Sequence, residues 1–347
     1  MRDLKYKTVL YVGDLNQGTR SLMRAQKLKS LCGGVVTLSN TPVPFIAGID
    51  KPTFLARVLN KLRLPHDEIG INDALRSISH SNEMFDIVWI EKSTMLRPQT
   101  IRALRNAFPQ CCLISLSEDD MYALHNRSRY YEKCLSLYDV VFTTKIYNLE
   151  ELKKLGAKRV EFFLDSYDEE LHRPLAEYDS IQKKDIDVSF IGTYESERAA
   201  TIRWLGTQGI RIVVFGNGWD SLKEGHPNIE VQNRPVYGGE YVEIINRTKI
   251  NLGFLRKINR DQVTSRSMEI NGAAGFFLAE RTARHTELFE EGVEADFFSS
   301  DGELLTKIRR YLNSPDTIRS IGLAGRQRCL GSGYGMKEQI IAILNRA

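Results

Sequence analysis

Residues 250–282 read INLGFLRKINRDQVTSRSMEINGAAGFFLAERT, and the fold is decided in this stretch. Positions 250–255 form an apolar run of strand length, after which Arg256, Lys257, Arg260 and Arg266 crowd one loop with cations. Such a density of positive charge asks for an anion. Ser265 or Ser267 suits the N-cap of a helix beginning near Met268, whose free amides and positive dipole end face the same space. Glu269 falls in the first turn, where the dipole favours a carboxylate and where an inward-facing one accepts hydrogen bonds from a diol such as a ribose. The small residues 272–275 permit close backbone packing before 276–279 re-enters a sheet. The plainer reading is a solvated basic loop ahead of an ordinary helix.

Outward from that stretch, short apolar runs alternate with helical patterns, the signature of an open, mostly parallel α/β sheet. Strands are predicted at 8–12, 85–90, 111–116, 139–144 and 159–164, and the pattern restarts at 187–191 and 210–215. Helices are predicted around 21–31, 150–155 and 198–205, and in the tail at 303–312, 315–330 and 336–346. The restart divides the chain into a Rossmann-like domain at 1–175, a linker at 176–186, a second Rossmann-like domain at 187–332, and a C-terminal helix at 333–347 placed to cross back to the first. Residues 40–71, with Pro42, Pro44, Pro52 and Pro65, read as a long irregular insertion, a kind of loop that is often functional.

Two further turns lie where open α/β sheets bind ligands, beyond the carboxyl ends of strands. Gly13 and Gly18 have phosphate-loop spacing, but Thr19 and Arg20 stand where Lys and Ser/Thr are required, which disfavours a nucleotide triphosphatase. The loop still brings backbone, with Thr19, close to a donor or acceptor, unless it is a plain βα turn. The run Ser117, Glu118, Asp119, Asp120, with His125 behind it, is either an acidic catalytic turn or a helix start decorated with carboxylates.

Composition removes other classes. Among 347 residues, 48 Lys and Arg against 44 Asp and Glu leave +4 with the charges interspersed, which argues against a nucleic-acid protein held by bulk charge. Five cysteines, Cys32, Cys111, Cys112, Cys134 and Cys329, include no CxxC pair, so neither a disulfide framework nor a zinc site is signalled. No window approaches the roughly 18 apolar residues of a membrane span, and the N-terminus lacks a signal-peptide core. A reducing cytoplasm is the expected home, with peripheral membrane contact left open. Neither half carries GxGxxG between first strand and helix, which argues against a dehydrogenase.

The pieces FIGTYESER, VFGNGW, TKINLGFLR, TSRSMEINGAAGFFLAERT and ELFEEGVEADFF, together with SEDDMYALHN and YDVVFTTKIYNLEELKKLGAK, resemble in order and spacing the CgeB-type glycosyltransferases, named after a spore maturation protein. More distantly the chain resembles other GT-B enzymes, whose paired Rossmann-like domains face a central cleft. The resemblance implies transfer of a sugar from a nucleotide-sugar donor to a glycan, lipid-linked glycan or other hydroxyl acceptor, with no cofactor and no metal, in a polysaccharide-forming role. Glu269 stands at the second acid of the family's E-x7-E pattern, which holds the nucleotide ribose, and Asp261 stands at the first as a shorter acid. Arg256, Lys257, Arg260 and Arg266 are expected at the diphosphate, with Gly192, Tyr194 and Thr282 on the same side. Asn271 replaces the proline frequent in relatives, and Gly275 sits one place later than their glycine.

Negative charge builds on the leaving diphosphate in such a transfer, and cations with helix amides stabilise it. Asp119 or Asp120, with His125 nearby, is the expected acceptor-side base in an inverting reaction. A retaining reaction gives that proton to the leaving phosphate instead. Two alternatives remain on the same plan: a sugar-nucleotide epimerase, and a non-catalytic two-domain binding protein. Donor sugar, acceptor and oligomeric state are not encoded in any motif.

Overall fold

The computed structural model describes residues 4–44, 53–223 and 226–347. The chain divides into two compact units, residues 1–164 with 337–347, and residues 165–336. The first holds six strands, β1 (Thr8–Gly13), β2 (Gly34–Ser39), β3 (Ile87–Glu91), β4 (Cys112–Ser117), β5 (Val140–Thr143) and β6 (Val160–Phe162), in the order β2-β1-β3-β4-β5-β6. All pair in parallel. Its helices are α1 (Arg20–Leu31), α2 (Phe54–Lys61), α3 (Ile71–Ser79), α4 (Pro98–Ala107), α5 (Arg129–Cys134) and α6 (Asn148–Lys154). β3 and β5 are buried along their whole length, as strands covered by helices on both faces must be.

The second unit repeats the plan with β7 (Ile186–Ile191), β8 (Ile212–Phe215), β9 (Ile229–Val231), β10 (Thr248–Gly253), β11 (Phe277–Glu280) and β12 (Asp296–Phe298), ordered β12-β11-β10-β7-β8-β9 and parallel throughout. Helices α7 (Ser196–Thr207), α8 (Asp220–Lys223), α9 (Gly238–Arg247), α10 (Ser265–Gly272), α11 (Ala283–Leu288), α12 (Asp301–Leu312) and α13 (Pro315–Gly331) accompany it. The last helix, α14 (Met336–Arg346), carries the chain into the first unit, where Gln339 Oε1 accepts from the Leu164 amide at 3.1 Å and the Arg346 guanidinium lies over the Phe142 ring. In each sheet the chain winds outward from its first strand and then resumes on that strand's other side. The resulting switch points lie between β1 and β3 and between β7 and β10, where open α/β sheets present a ligand crevice.

Several local expectations are corrected. The segment expected as a linker at 176–186 belongs to the second unit: Ile181 is buried in its core, and the Lys184 ammonium reaches the Asn246 and Thr248 carbonyls. The insertion 40–71 is not wholly irregular, since α2 lies inside it and α3 begins at its end; residues 45–52 of it lie outside the described residues. Three strands escaped the pattern, β2, β9 and β12, each at a sheet edge. Helix α10 starts at Ser265, three residues before Met268, with Thr264 as its N-cap. Ser267 is therefore inside the first turn, and its hydroxyl serves a side chain rather than the helix end.

How α10 is seated sets up the site. Its C-terminus closes a Schellman turn, with the Gly275 amide on the Ile270 carbonyl and the Ala274 amide on the Asn271 carbonyl, both at 2.9 Å. The left-handed residue of that turn is Ala274, with φ 58°, one place before the glycine. Helix α13 then packs backbone to backbone: a Cβ at Gly322 would lie 2.4 Å from the Ala274 oxygen, and one at Gly325 would lie 2.3 Å from Asn271 Oδ1 and 2.4 Å from the Glu294 oxygen. At the other end His285 links β11 to α10. Its Nδ1 donates to the Glu280 carbonyl at 2.8 Å, which leaves Nε2 to accept from the Ser267 hydroxyl at 2.8 Å, while the ring stacks on Phe297.

Three stability outcomes follow. A left-handed Cβ costs roughly 1–2 kcal/mol, so Ala274→Gly is expected to gain about 0.5–1 kcal/mol net of the added chain entropy, measured by urea unfolding. Gly325→Ala is expected to lose about 1–3 kcal/mol, because backbone blocks the new methyl on one side. Burial lowers the His285 imidazole from its ordinary 6.5 to about 4, against the opposing pull of the Glu280 carbonyl. Between those values the unfolded chain binds a proton that the native one refuses, so the contribution is intact above pH 6.5 and is lost as pH falls toward 4. The stability advantage over His285→Gln is expected to shrink by about 3 kcal/mol across that window.

Candidate functional site

In the second unit, the loops after β7 and β10 flank the switch point, and charges of both signs meet there. Arg256 Nε donates to Glu195 Oε1 at 2.8 Å, and the Lys257 ammonium pairs with Glu197 at 2.6 Å, each pair joining the two loops. Arg198, in the first turn of α7, is buried; it donates to the Thr193 carbonyl at 3.1 Å and to Glu195 Oε2 at 3.0 Å, with its guanidinium over the Phe190 ring. Burial pushes the Arg198 guanidinium below its ordinary range, the nearby Arg266 and Arg256 push the same way, and Glu195 opposes them. Arg198 thus feels the charge of both Arg256 and Arg266, and a bound anion would offset that repulsion.

Arg266 sharpens the picture. It sits in the first turn of α10, whose N-cap Thr264 makes no side-chain capping bond, and among the described residues its Nε is buried with no hydrogen-bond partner. Buried donors are almost always satisfied, so an Nε–H left without a partner at a helix N-terminus is a donor that an acceptor from outside the chain would satisfy. One turn further along the helix, Glu269 is buried and accepts from the Tyr241 hydroxyl at 2.9 Å, with the His172 ring set edge-on against Tyr241.

A cavity of about 570 Å³ opens beside these loops, lined among others by Arg198, Lys257, Asp261, Glu280 and Thr282. Burial raises the Glu280 carboxyl above its usual range, partly offset by the Leu255 amide that donates to it at 2.9 Å. Thr282 caps α11, accepting from the His285 amide at 3.0 Å and donating to the Gln262 carbonyl at 2.7 Å. Tyr194 packs edge-on against Trp219, whose Nε1 donates to the Gly192 carbonyl at 2.8 Å. A Cβ at Gly192 would strike the Phe190 ring at 2.6 Å, so that loop is kept close by its lack of a side chain. Arg260, left-handed at φ 49°, is exposed, and Glu269 does not line the cavity.

The first unit separates the acidic residues that the sequence ran together. Asp119 is partly exposed and accepts from the Lys92 ammonium at 2.5 Å. Asp120 is fully buried; its Oδ1 accepts from the Asn148 amide group at 2.9 Å and from the Tyr122 and Ala123 backbone amides. Asp120 thereby closes its own loop, while Asp119 keeps a carboxylate that solvent reaches. His125 is exposed and shares with Lys92 a second cavity of about 570 Å³. Gly13, Gly18 and Thr19 form a self-contained turn: the Thr19 hydroxyl caps α1 and donates to the Asp14 and Asn16 carbonyls, and a Cβ at Gly13 would collide with the Ser21 hydroxyl.

Arg198, Tyr241 and the partners of Glu118 were not legible as site residues. Glu118 takes Arg20 at 2.8 Å and Arg24 at 2.6 Å, Arg24 also clasps Glu91, and the Tyr11 hydroxyl donates to Glu91 at 2.7 Å. Burial would raise the Glu118 carboxyl, but the two guanidinium groups hold it down at about 2. The one available signal was the i, i+4 spacing of Arg24 and Arg20, the latter just before the helix predicted at 21–31, two cations on one face with no acid beside them.

A family profile described as Glycosyl transferase-like matches residues 198–345. No characterised protein matches the sequence over the whole chain or part of it. Among solved structures, the sucrose-phosphate synthase of Thermosynechococcus elongatus superposes with a TM-score of 0.68 at 10% identity, covering 98% of each chain. HepE from Anabaena, solved with UDP and glucose, gives 0.62 at 11% identity over 99% of this chain and 100% of its own. An alpha-glucosyltransferase solved with UDP and a 13-mer DNA gives 0.62 at 14% identity over 97% of this chain and 100% of its own. Identities this low speak to the fold, and the profile speaks to the chemistry of the second half. Two six-stranded parallel sheets on that plan give this chain the GT-B fold, and its second half, which carries the switch-point arginines, is similar to the glycosyl transferase-like family.

Proposed function

We propose that the protein transfers a sugar from a nucleoside-diphosphate sugar to a hydroxyl acceptor, as a CgeB-type enzyme and without a metal ion. The observation that carries this reading is the orphaned Nε of Arg266 at the start of α10, with Arg266 and Arg256 both close enough to Arg198 to press on its charge. A diphosphate supplies the acceptor oxygens that Arg266 lacks and the charge that the three guanidinium groups call for. That UDP is bound in structures sharing this fold supports a uridine donor. Glu269, seated on Tyr241 one turn further along, takes the ribose hydroxyls.

Charge on the leaving diphosphate is then neutralised by arginines and by the α10 amides, the role that a divalent ion fills elsewhere. The acceptor-side base is Asp119, whose carboxylate is aimed by Lys92. If the anomeric configuration is retained, Asp119 orients the acceptor and the phosphate takes the proton.

Charge-assisted hydrogen bonds are worth about 1.5–3 kcal/mol, so Glu269→Gln is expected to weaken UDP binding by roughly 10–100-fold in calorimetric titration. An unchanged affinity in the folded variant removes Glu269 from the ribose site. Donor turnover is expected to be the same in excess EDTA; activity that disappears and returns only with a divalent cation refutes the metal-free reading. Asp119→Asn is expected to leave UDP affinity intact and to slow transfer by about 100-fold or more, while Asp120→Asn acts on stability first. Equal rates for wild type and Asp119→Asn would leave the base unassigned to this turn.

A further inference from the structure

Helix α2 is amphipathic in the wrong sense for a helix that packs on its own domain. Of its residues only Ala56 is buried, while Phe54, Leu55 and Val58, with Leu62 at its C-cap, are 76%, 59%, 38% and 52% exposed. Phe54, Val58 and Leu62 follow one another at i, i+4, i+8, so they form a continuous stripe with Leu55 beside it. Arg57 and Lys61 share a second stripe at i, i+4, both exposed, and the helix contains no acidic residue. Scattered surface leucines are ordinary, but a contiguous apolar face edged by cations of one sign marks a contact surface.

We propose that this face docks on an anionic lipid bilayer. Apolar side chains outward, cations at the flank and no carboxylate in the helix together match a surface with a hydrocarbon interior and negative headgroups. Nearby charge agrees. Across the basic cavity lined by Asn60, Lys61 and Arg63 stands the loop with Leu124, 59% exposed, and His125. Two carboxylates of the region are turned to internal duties, Glu132 binding Arg63 and Arg127 and Asp67 accepting from the Ile71 and Asn72 amides, while exposed Glu68 lines a separate cavity with Ala56 and Asn60. No helix among the described residues is long and apolar enough to cross a membrane, so the contact is peripheral.

The placement also suits the acceptor side, a step that rests on the transferase reading. Lys92, which holds Asp119, lines the same cavity as Lys61, so a hydroxyl presented from the bilayer enters beside the proposed base.

The test is sedimentation of the full chain with phosphatidylcholine vesicles containing about 30% phosphatidylglycerol or none, with no nucleotide or acceptor present, so that it stands apart from any result on transfer. Wild type is expected to pellet with the anionic vesicles only. Phe54→Ser with Leu55→Ser, and separately Arg57→Glu with Lys61→Glu, are each expected to weaken that binding by about tenfold or more while the thermal unfolding midpoint stays put. Wild type remaining in the supernatant, or both variants pelleting as it does, overturns the proposal. So does light scattering that shows a dimer abolished by Phe54→Ser with Leu55→Ser, since the face then belongs to a second copy.

Discussion

Helix α13 lies against α10 and the turn that ends it, with Gly322 on the Ala274 carbonyl and Gly325 on the Asn271 side chain, and the second unit's site hangs on that contact. An eight-residue helix is marginal in water, so α10 exists because it is packed. Every residue from Ser267 to Gly272 is buried, including Ser267, Glu269 and Asn271. Buried polar side chains must be paired or they cost the fold dearly, and here the pairing does the positioning: His285 fixes Ser267 and Tyr241 fixes Glu269. Apolar burial supplies the affinity of the helix for its unit, while these two bonds set its rotation. Arg266 stands in the first turn of the helix so seated, its Nε without a partner among the described residues.

Magnitudes decide which charges at the switch point are free to meet a ligand. The Lys257–Glu197 pair is about two-thirds exposed on both sides, and pairs of that kind are worth about 0–1 kcal/mol. In the Arg256–Glu195 pair the arginine is still more than half exposed, though the glutamate is only about a third exposed. A bond from either cation to a phosphate in a partly dry site is worth more, about 1.5–3 kcal/mol. Glu195 and Glu197 therefore hold the loop cations in place and yield them readily. Arg198 differs: it is buried, bound to the Thr193 carbonyl and packed on Phe190, so it lends its charge to the site without leaving its seat.

The parts of the fold legible in the sequence were those whose residues share one environment. Central strands such as β3 and β5 are buried on both faces, and their IVWI and VVF read as apolar runs. Edge strands mix environments: β2 is only half-buried along its length, so GVVTLS carries no clean period, and IEV in β9 is too short to show one. The start of α10 was misplaced because Ser265 and Ser267 look like caps, whereas the hydroxyl of Ser267 is taken by a histidine eighteen residues away. Local pattern cannot contain such a partner. For the same reason the basic loop and Glu269 could be named from the sequence, while Arg198 and Tyr241, which come to the site from other helices, could not. Ala274 in a left-handed turn was hidden by the neighbouring Gly275, which suits that turn better and stands one residue too late.

The run Glu118, Asp119, Asp120 shows why residue type alone leaves a role open. Successive side chains leaving a strand point different ways, and each of these met a different partner. Glu118 turned inward to Arg20 and Arg24, closing a buried network with Glu91 in which two guanidinium groups balance two carboxylates. Removing one partner of a buried set leaves an uncompensated charge and costs about 3–5 kcal/mol, so the network fastens α1 to the ends of β3 and β4. Asp120 turned into the following loop and closed it on Asn148. Asp119, between two immobilised neighbours, is left partly exposed and steered by a single ammonium group. Partly buried Glu118 and fully buried Asp120 both serve the structure, and their fixed positions set the direction of Asp119 between them.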